Sequence, residues 1–201
     1  MDTWTQRLSE QLDSIGTMFQ EGELAYLALT QKVEYAVRDK LAFALHRKWG
    51  ERDSLLVCRE WNRIDLAILE DSSPQLLLEA KAQYTFDIVK HGVPHNYPDL
   101  LLRDVQKLSP RRLKHTEVFT LLLATHPHTA PERRYRDAVK YFADVARYAS
   151  IPISTEQADA EIVRRLADHP LAKSGVIDGG SAFGIAVSVV YWLFGPYKNE
   201  V

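Results

Sequence analysis

The sequence predicts one α/β domain in which helices flank a central β-sheet. Apolar residues recur every three or four positions along 3–20 and 23–49, as they do on the buried face of a helix. Strand-like runs then follow one another over 55–60, 64–70 and 76–82. With 201 residues, 46% of them hydrophobic, the chain can bury one good core. We therefore expect a single domain, residues 1–201, without a second core.

The second helix carries a charge at an unusual place. Leu27, Glu34 and Leu41 are spaced seven apart, so they differ by only about 20° around a helix axis. Glu34 is therefore predicted to lie within an apolar stripe. An ordinary helix pair between Glu34 and Arg38, four residues later, is the alternative, and the sequence leaves both open.

The elements after the first three strands are marked by turn and capping residues. A run of strand formers at 117–125 is apolar on both faces, which predicts a strand inside the sheet. Ser154 and Gln157 have the spacing of a capping box. The remaining predictions are a loop over 84–98, helices over 99–108, 131–149 and 154–167, a turn over 178–180 and a strand over 183–194.

Composition excludes some functional classes. The net charge of −2 excludes a general polycation that binds nucleic acid through bulk charge, although a local basic patch remains possible. The single cysteine, Cys58, rules out an intramolecular disulfide. The N-terminus is polar, and the longest apolar run, 182–195, is too short to span a bilayer. We expect a cytoplasmic protein with no membrane association.

Three charges lie inside the apolar runs of the predicted hairpin at 64–82. Side chains alternate between the faces of a strand, so Glu79 and Lys81 point the same way, while Asp65 projects from the start of the preceding strand. Burying an unpaired charge costs roughly several kcal/mol. We therefore interpret Asp65, Glu79 and Lys81 as side chains that act together in one site. The alternative is a cross-strand ion pair on an exposed sheet face, which contributes little.

Over residues 23–149 the sequence resembles the restriction-endonuclease-like, or PD-(D/E)xK, nuclease superfamily. The resemblance lies in the order of a helix with a carboxylate, three strands bearing Asp and then Glu-x-Lys, a helix and a further strand. Ile64 stands where the proline of that motif would be. The resemblance implies a restriction-endonuclease-like core, a central mixed β-sheet in αβββαβ order flanked by helices. The extra elements are then an N-terminal packing helix in 1–22 and a C-terminal helix plus strand in 150–201.

The same resemblance assigns roles to individual residues. Asp65, Glu79 and Lys81 match the motif, and Glu34 matches a helical glutamate of many members; all four are the expected catalytic residues. The expected ligands of Mg²⁺, or of Mn²⁺ as a substitute, are Asp65, Glu79, the Ala80 carbonyl and Glu34, directly or through water. Lys81 would orient or deprotonate the attacking water that the metal activates.

Residues that hold the substrate are also predicted. Lys107, Arg111, Arg112 and Lys114 could contact DNA phosphates, and Gln83 occupies a position where some members carry a further polar residue. A second basic cluster is formed by Arg133, Arg134 and Arg136, and a solvated basic face is the alternative for both. His126 and His128 have metal-ligand spacing, but no third ligand is nearby in the sequence, which favours a loop.

Two functional hypotheses follow. The first is a Mg²⁺-dependent DNA endonuclease of restriction, repair or recombination type. The second is a catalytically silent nuclease-fold module that binds nucleic acid or a protein partner. Convergence of Glu34, Asp65, Glu79 and Lys81 in the fold would favour the first. A homodimer is also expected, because cutting two strands calls for two sites and because the apolar strand 183–194 needs a cover.

Overall fold

A computed structural model describes residues 3–50, 54–89, 97–108, 113–149 and 153–197. It shows an α/β protein with a six-stranded mixed sheet flanked by helices, as the sequence predicts. The helices are α1 (Trp4–Ser14), α2 (Glu23–Thr30), α3 (Val33–Leu45), α4 (Thr85–Val89), α5 (Tyr97–Leu108), α6 (Phe142–Tyr148) and α7 (Thr155–Arg165). The strands are β1 (Leu56–Trp61), β2 (Ile64–Glu70), β3 (Ser73–Tyr84), β4 (Glu117–Pro127), β5 (Leu171–Ala182) and β6 (Ile185–Phe194).

The sheet has the strand order β1-β2-β3-β4-β6-β5. Only β3 and β4 run parallel; the other neighbours are antiparallel. The β2–β3 hairpin turns on two residues, Asp71 and Ser72, whose φ angles of 47° and 65° are left-handed. Such turns match the twist of the strands they join. The turn is therefore shorter than the break at 71–74 suggests, and β3 begins at Ser73.

The helices pack on both faces of the sheet, and adjacent residues of a strand serve opposite faces. Leu121 belongs to the core that α1, α2, α3 and α6 build on one face. Leu122, next along β4, belongs to the core that α5 and α7 build on the other. Because both faces are covered, every residue of β4 after Glu117 is buried, and the centre of the strand is a run of apolar residues. The capping box of Ser154 and Gln157 at the start of α7 is confirmed.

The predicted long helix over 23–49 is wrong, since it is divided into α2 and α3. The Thr30 hydroxyl donates to the Tyr26 carbonyl (2.8 Å), and Gln31 is extended, with φ −144° and ψ −172°. Glu34 consequently lies in the first turn of α3. Glu34 is buried because of this position. It does not share a helical stripe with Leu27, because Leu27 lies on α2.

The predicted helix over 131–149 is also wrong. The segment forms a 3₁₀ turn, Arg133–Tyr135, and the short helix α6. Between them the Lys140 N–H donates to the Leu29 carbonyl of α2 (2.7 Å), and Tyr141 takes a left-handed conformation that interrupts the helix.

The C-terminal part contains a strand that the sequence did not indicate. The predicted turn at 178–180 is wrong, because these residues lie within β5, where the pairing register shifts between Asp178 and Ser181. The chain reverses instead at Phe183 and Gly184. Since β6 lies between β4 and β5, this chain itself covers the apolar strand. A homodimer stays a prediction, but the exposed-strand argument for it no longer holds.

Two expectations about the environment of the chain can be compared with the structure. Cys58 is a free, partly buried thiol on β1, and burial raises its pKa, which fits a structural cysteine. Of the helices within the described ranges, none combines the length and the apolarity needed to cross a bilayer.

Candidate active site

The site is built on an open edge of β3. The pairing of β2 with β3 ends where Leu66 lies opposite Leu78, but β3 continues to Tyr84 and there pairs with β4. Within the part of the chain that the structure describes, no strand lies against the second edge of 79–84. Carboxylates take its place: Asp65 Oδ2 accepts from the Ala80 N–H (2.8 Å) and Asp87 Oδ2 from the Tyr84 N–H (3.4 Å). Buried backbone donors need such partners.

Asp65 and Glu79 come together at this edge. Glu79 is only 2% exposed, and its carboxyl lies within hydrogen-bonding reach of Asp65. Burial, with a contribution from the charge of Asp65, raises the pKa of Glu79 to about 7. Burial is the larger of these two causes. A surface ion pair does not describe this arrangement, because Glu79 is buried.

Lys81 lies beside the two acids on the same face of β3. Its Nζ is 3.8 Å from Glu79 Oε2 and 3.4 Å from Asp104 Oδ2 of α5. Burial lowers the pKa of Lys81, but the carboxylates of Asp104, Glu79 and Asp65 outweigh that effect, and the pKa is raised. The side chain is therefore an ammonium at neutral pH. It is suited to donate hydrogen bonds and offset negative charge rather than to accept a proton.

Glu34 closes the site from the start of α3. Burial raises its pKa, while Lys32, Lys81 and the Ala82 N–H lower it and Asp65 raises it further. The hydrogen bond from the Ala82 N–H puts the Glu34 carboxyl at the open edge of β3, within the influence of the charges of Asp65 and Lys81. Its Oε2 is buried and finds no hydrogen-bond partner among the described residues. The four residues Glu34, Asp65, Glu79 and Lys81 are thus brought together.

Arg38, one turn after Glu34, does not form the alternative helix pair. Its guanidinium contacts Asp39 (2.9 Å) and Glu60 and lies 3.6 Å from Asp65 Oδ1. The positive charge next to Asp65 offsets part of the repulsion between Asp65 and Glu79. Arg38 also fixes where the Asp65 carboxylate lies, a role that its position in the sequence did not suggest.

Lys107 of α5 contacts the site directly. Its Nζ donates to Glu79 Oε1 (2.5 Å) and to the Arg63 carbonyl (2.8 Å). Asp104 lies three residues earlier, on the same side of the helix. Hence α5 presents an acid to Lys81 and a cation to Glu79. Asp104 was not predicted as a site residue. Its spacing from Lys107 is the only signal that could have identified it.

Replacing Lys107 should change the titration of Glu79. The Lys107 hydrogen bond lowers the pKa of Glu79, so Lys107→Gln is expected to move it further above its value of about 7. A carboxyl ¹³C NMR titration of the metal-free protein measures this directly. Lys48→Gln, which removes a lysine paired with Glu10 on another part of the surface, is the matched control. An unchanged or lower pKa in Lys107→Gln would contradict the contact.

The other predicted substrate-binding residues are placed differently. Arg111 and Arg112 lie outside the described residues, and Lys114 is exposed. Gln83 follows Lys81 on the same face of β3. Both of its side-chain amide atoms are buried, and no described residue forms a hydrogen bond with them. Arg133, Arg134 and Arg136 are exposed before α6, with Arg134 paired to Glu132 (3.1 Å).

His126 lies near the end of β4, and His128 follows directly after the last residue of that strand. Thr85 Oγ1 and His126 Nδ1 are 2.9 Å apart, and His128 Nε2 is 2.9 Å from Ser188 Oγ. Burial lowers the pKa of His126, which favours the neutral ring. These hydrogen bonds give both rings a structural role without a metal. The loop prediction is wrong for His126, which lies in β4, but it fits His128, which lies in the bend after the strand.

The donor chemistry decides whether Mg²⁺ fits the site. Among the described residues, no group of three or more His, Cys, Asp or Glu side chains is arranged to hold a metal ion. Mg²⁺ is nevertheless commonly bound by one or two carboxylates, with water and substrate phosphate completing its shell. Asp65, Glu79 and the Ala80 carbonyl supply such a set, and the unpartnered Glu34 Oε2 is a further acceptor. The set fits Mg²⁺ once Lys107 leaves Glu79 Oε1.

Comparison of the chain with protein-family models, with curated proteins and with solved structures finds no significant match.

Proposed function

We propose that the chain is a metal-dependent hydrolase of phosphodiester bonds. More narrowly, we propose a nuclease of the PD-(D/E)xK type with a restriction-endonuclease-like core, acting as a Mg²⁺-dependent endonuclease on DNA in restriction, repair or recombination. Mn²⁺ is expected to substitute for Mg²⁺.

One observation carries this proposal: Asp65, Glu79 and Lys81 meet at the open edge of β3, with Glu34 beside them. An acid pair held this close is unfavourable unless a cation or a proton joins it. The element order from α3 through β1, β2 and β3 to α5 and β4 supports the same assignment, because it follows the αβββαβ order of that fold.

Each side chain then has a role that its surroundings allow. Asp65, Glu79 and the Ala80 carbonyl would hold the cation, and Glu34 would contact it directly or through water. Bound Mg²⁺ would polarise the phosphate and favour ionisation of a water molecule. Lys81, kept protonated by Asp104 and Glu79, would orient that water and offset charge that develops on the phosphate.

A second candidate function has one specific observation in its favour. Lys107 Nζ already neutralises Glu79 at 2.5 Å, so the site can be a self-contained ion-pair network in a module that binds without cutting. The affinity for Mg²⁺ distinguishes the nuclease from the silent module. A nuclease needs Mg²⁺ to displace Lys107 at millimolar concentration, whereas a silent module shows no Mg²⁺-dependent change in thermal stability.

The proposed activity is tested with supercoiled plasmid, linear duplex, single-stranded and branched DNA. Each is incubated with the protein in Mg²⁺, Mn²⁺ or EDTA. We expect metal-dependent cutting of at least one substrate, which Asp65→Asn abolishes. Arg164→Gln, which alters an exposed residue of α7 paired with Glu161, is the control for the preparation. Cutting in EDTA, or no cutting of any substrate, would count against the nuclease.

A further inference from the structure

A cavity of about 230 Å³ lies next to the site, between the α2–α3 junction, the end of β3 and the segment before α6. Its walls include Lys32, Gln83, Tyr84, Lys140 and Tyr141. Lys32 Nζ is 3.7 Å from Glu34 Oε1, so the cavity begins where the acidic group ends. Its volume is below the roughly 300–1,000 Å³ that is usual for drug-sized ligands. The space suits one planar ring system.

Tyr141 is the notable aromatic residue of this cavity. Its side chain is 55% exposed, although a large ring next to an apolar wall is normally covered. Its backbone is left-handed, with φ 56° and ψ 35°, which is costly for a residue of this size. The ring meets Tyr84 edge to face, with centroids 6.0 Å apart. The chain therefore holds an exposed ring in a defined place at some expense in backbone energy.

Two lysines complete the cavity wall. Lys140 Nζ lies 5.0 Å from the centre of the Tyr141 ring, and within the described ranges it makes no ion pair. Lys32 is exposed on the side of Glu34. Asp87 and Asp144 also line the cavity, and Asp87 accepts the Tyr84 N–H. The cavity thus combines an exposed aromatic ring with two cations in its wall. This combination matches a nucleotide within a strand, whose base can stack on the ring and whose two flanking phosphates are negatively charged.

We propose that this cavity binds an unpaired base of the DNA strand next to the bond that is cut, with the base stacked on Tyr141 and the flanking phosphates contacted by Lys32 and Lys140. The proposal rests on the proposed nuclease function and narrows its substrate. A paired base is stacked on both faces and cannot enter a cavity of this size. The preferred substrates are therefore single-stranded, frayed or branched DNA rather than a continuous duplex.

Binding to a short fluorescein-labelled oligothymidylate and to a duplex of the same length, both in EDTA, tests the proposal without cleavage. Tyr141→Asn removes the ring but keeps a residue that tolerates the left-handed backbone. It should weaken single-strand binding by roughly 5- to 100-fold and leave duplex binding unchanged. Tyr141→Phe should bind like the wild type. Tyr26→Ala, which removes a similarly exposed ring packed on Phe183, is the matched control.

The salt dependence of binding gives a second measurement that does not depend on the fold of Tyr141→Asn. Lys140→Gln should reduce the slope of log K against log salt concentration by about 0.7 for the single strand. Equal single-strand binding by wild type and Tyr141→Asn, or no single-strand binding by the wild type, would overturn the cavity assignment even if the protein cuts DNA. If Tyr141→Asn lost single-strand binding but the wild type cut no DNA, the cavity assignment would stand and the nuclease proposal would fail.

Discussion

Lys81→Ala is expected to lower the rate of DNA cleavage by roughly 10²- to 10⁴-fold, the range that a single positioned catalytic group contributes. Lys81 Nζ lies 3.8 Å from Glu79 Oε2 and is held charged by three carboxylates. It is not a metal ligand, so metal and DNA binding should be largely retained. Cleavage assays at saturating Mg²⁺, together with Mg²⁺-dependent thermal shifts, measure the two properties separately.

Two comparisons make this result specific to Lys81. Lys81→Arg keeps the charge but not the compact ammonium, so it should restore only part of the activity. Lys173→Ala removes a lysine that pairs with Asp13 at 3.0 Å, away from the site, and should cut normally. If Lys81→Ala turned over at nearly the wild-type rate, the motif would be assigned to the wrong residues.

Glu79→Gln is expected to abolish both cleavage and the stabilisation of the protein by Mg²⁺. The pKa of Glu79 is raised to about 7 in the folded protein from an ordinary value of 4.5. The folded state therefore binds the proton more tightly than the unfolded state does. Wild-type stability should fall as the pH rises from about 4.5 to 7, by on the order of 3 kcal/mol from this group.

Denaturation at several pH values measures the effect. In the absence of metal, Glu79→Gln should lose less stability than the wild type between pH 5 and pH 8, because the amide does not ionise. Mg²⁺ should stabilise the wild type more at pH 8 than at pH 5, where protons compete for the carboxylate. If the free energy of unfolding changed with pH in the same way for both proteins, with and without Mg²⁺, Glu79 would neither have a raised pKa nor bind the metal.

The central part of the site could be predicted from local pattern. Alternation along a strand places Glu79 and Lys81 on one face, and the hairpin brings Asp65 to them. Glu34 was placed at the site, but the helical stripe proposed for it does not exist, because α2 ends at Thr30. The position of Glu34 depends on the break between α2 and α3. The Thr30 hydroxyl and the extended backbone of Gln31 produce this break, and neither has a strong signal in the sequence.

The parts that were missed depend on contacts between distant elements. The sequence of β5 contains three glycines and several polar residues, which have low strand propensity, and its extended form results from pairing with β6. Asp104 and Lys107 belong to an amphipathic helix, and nothing local shows that they meet β3. Lys107 was expected to contact DNA, and the structure places its ammonium against the Glu79 carboxylate.

The open edge of β3 also bears on how the protein resists aggregation. An unpaired strand edge can recruit a strand from another molecule. Here the Ala80 and Tyr84 N–H groups are already bonded to Asp65 and Asp87, and Glu34 lies at the Ala82 N–H. These three acids, of which Asp65 and Glu34 are also proposed to serve catalysis, therefore block intermolecular strand addition. Variants that replace several of them by apolar residues should lose solubility together with activity, even when the core is intact.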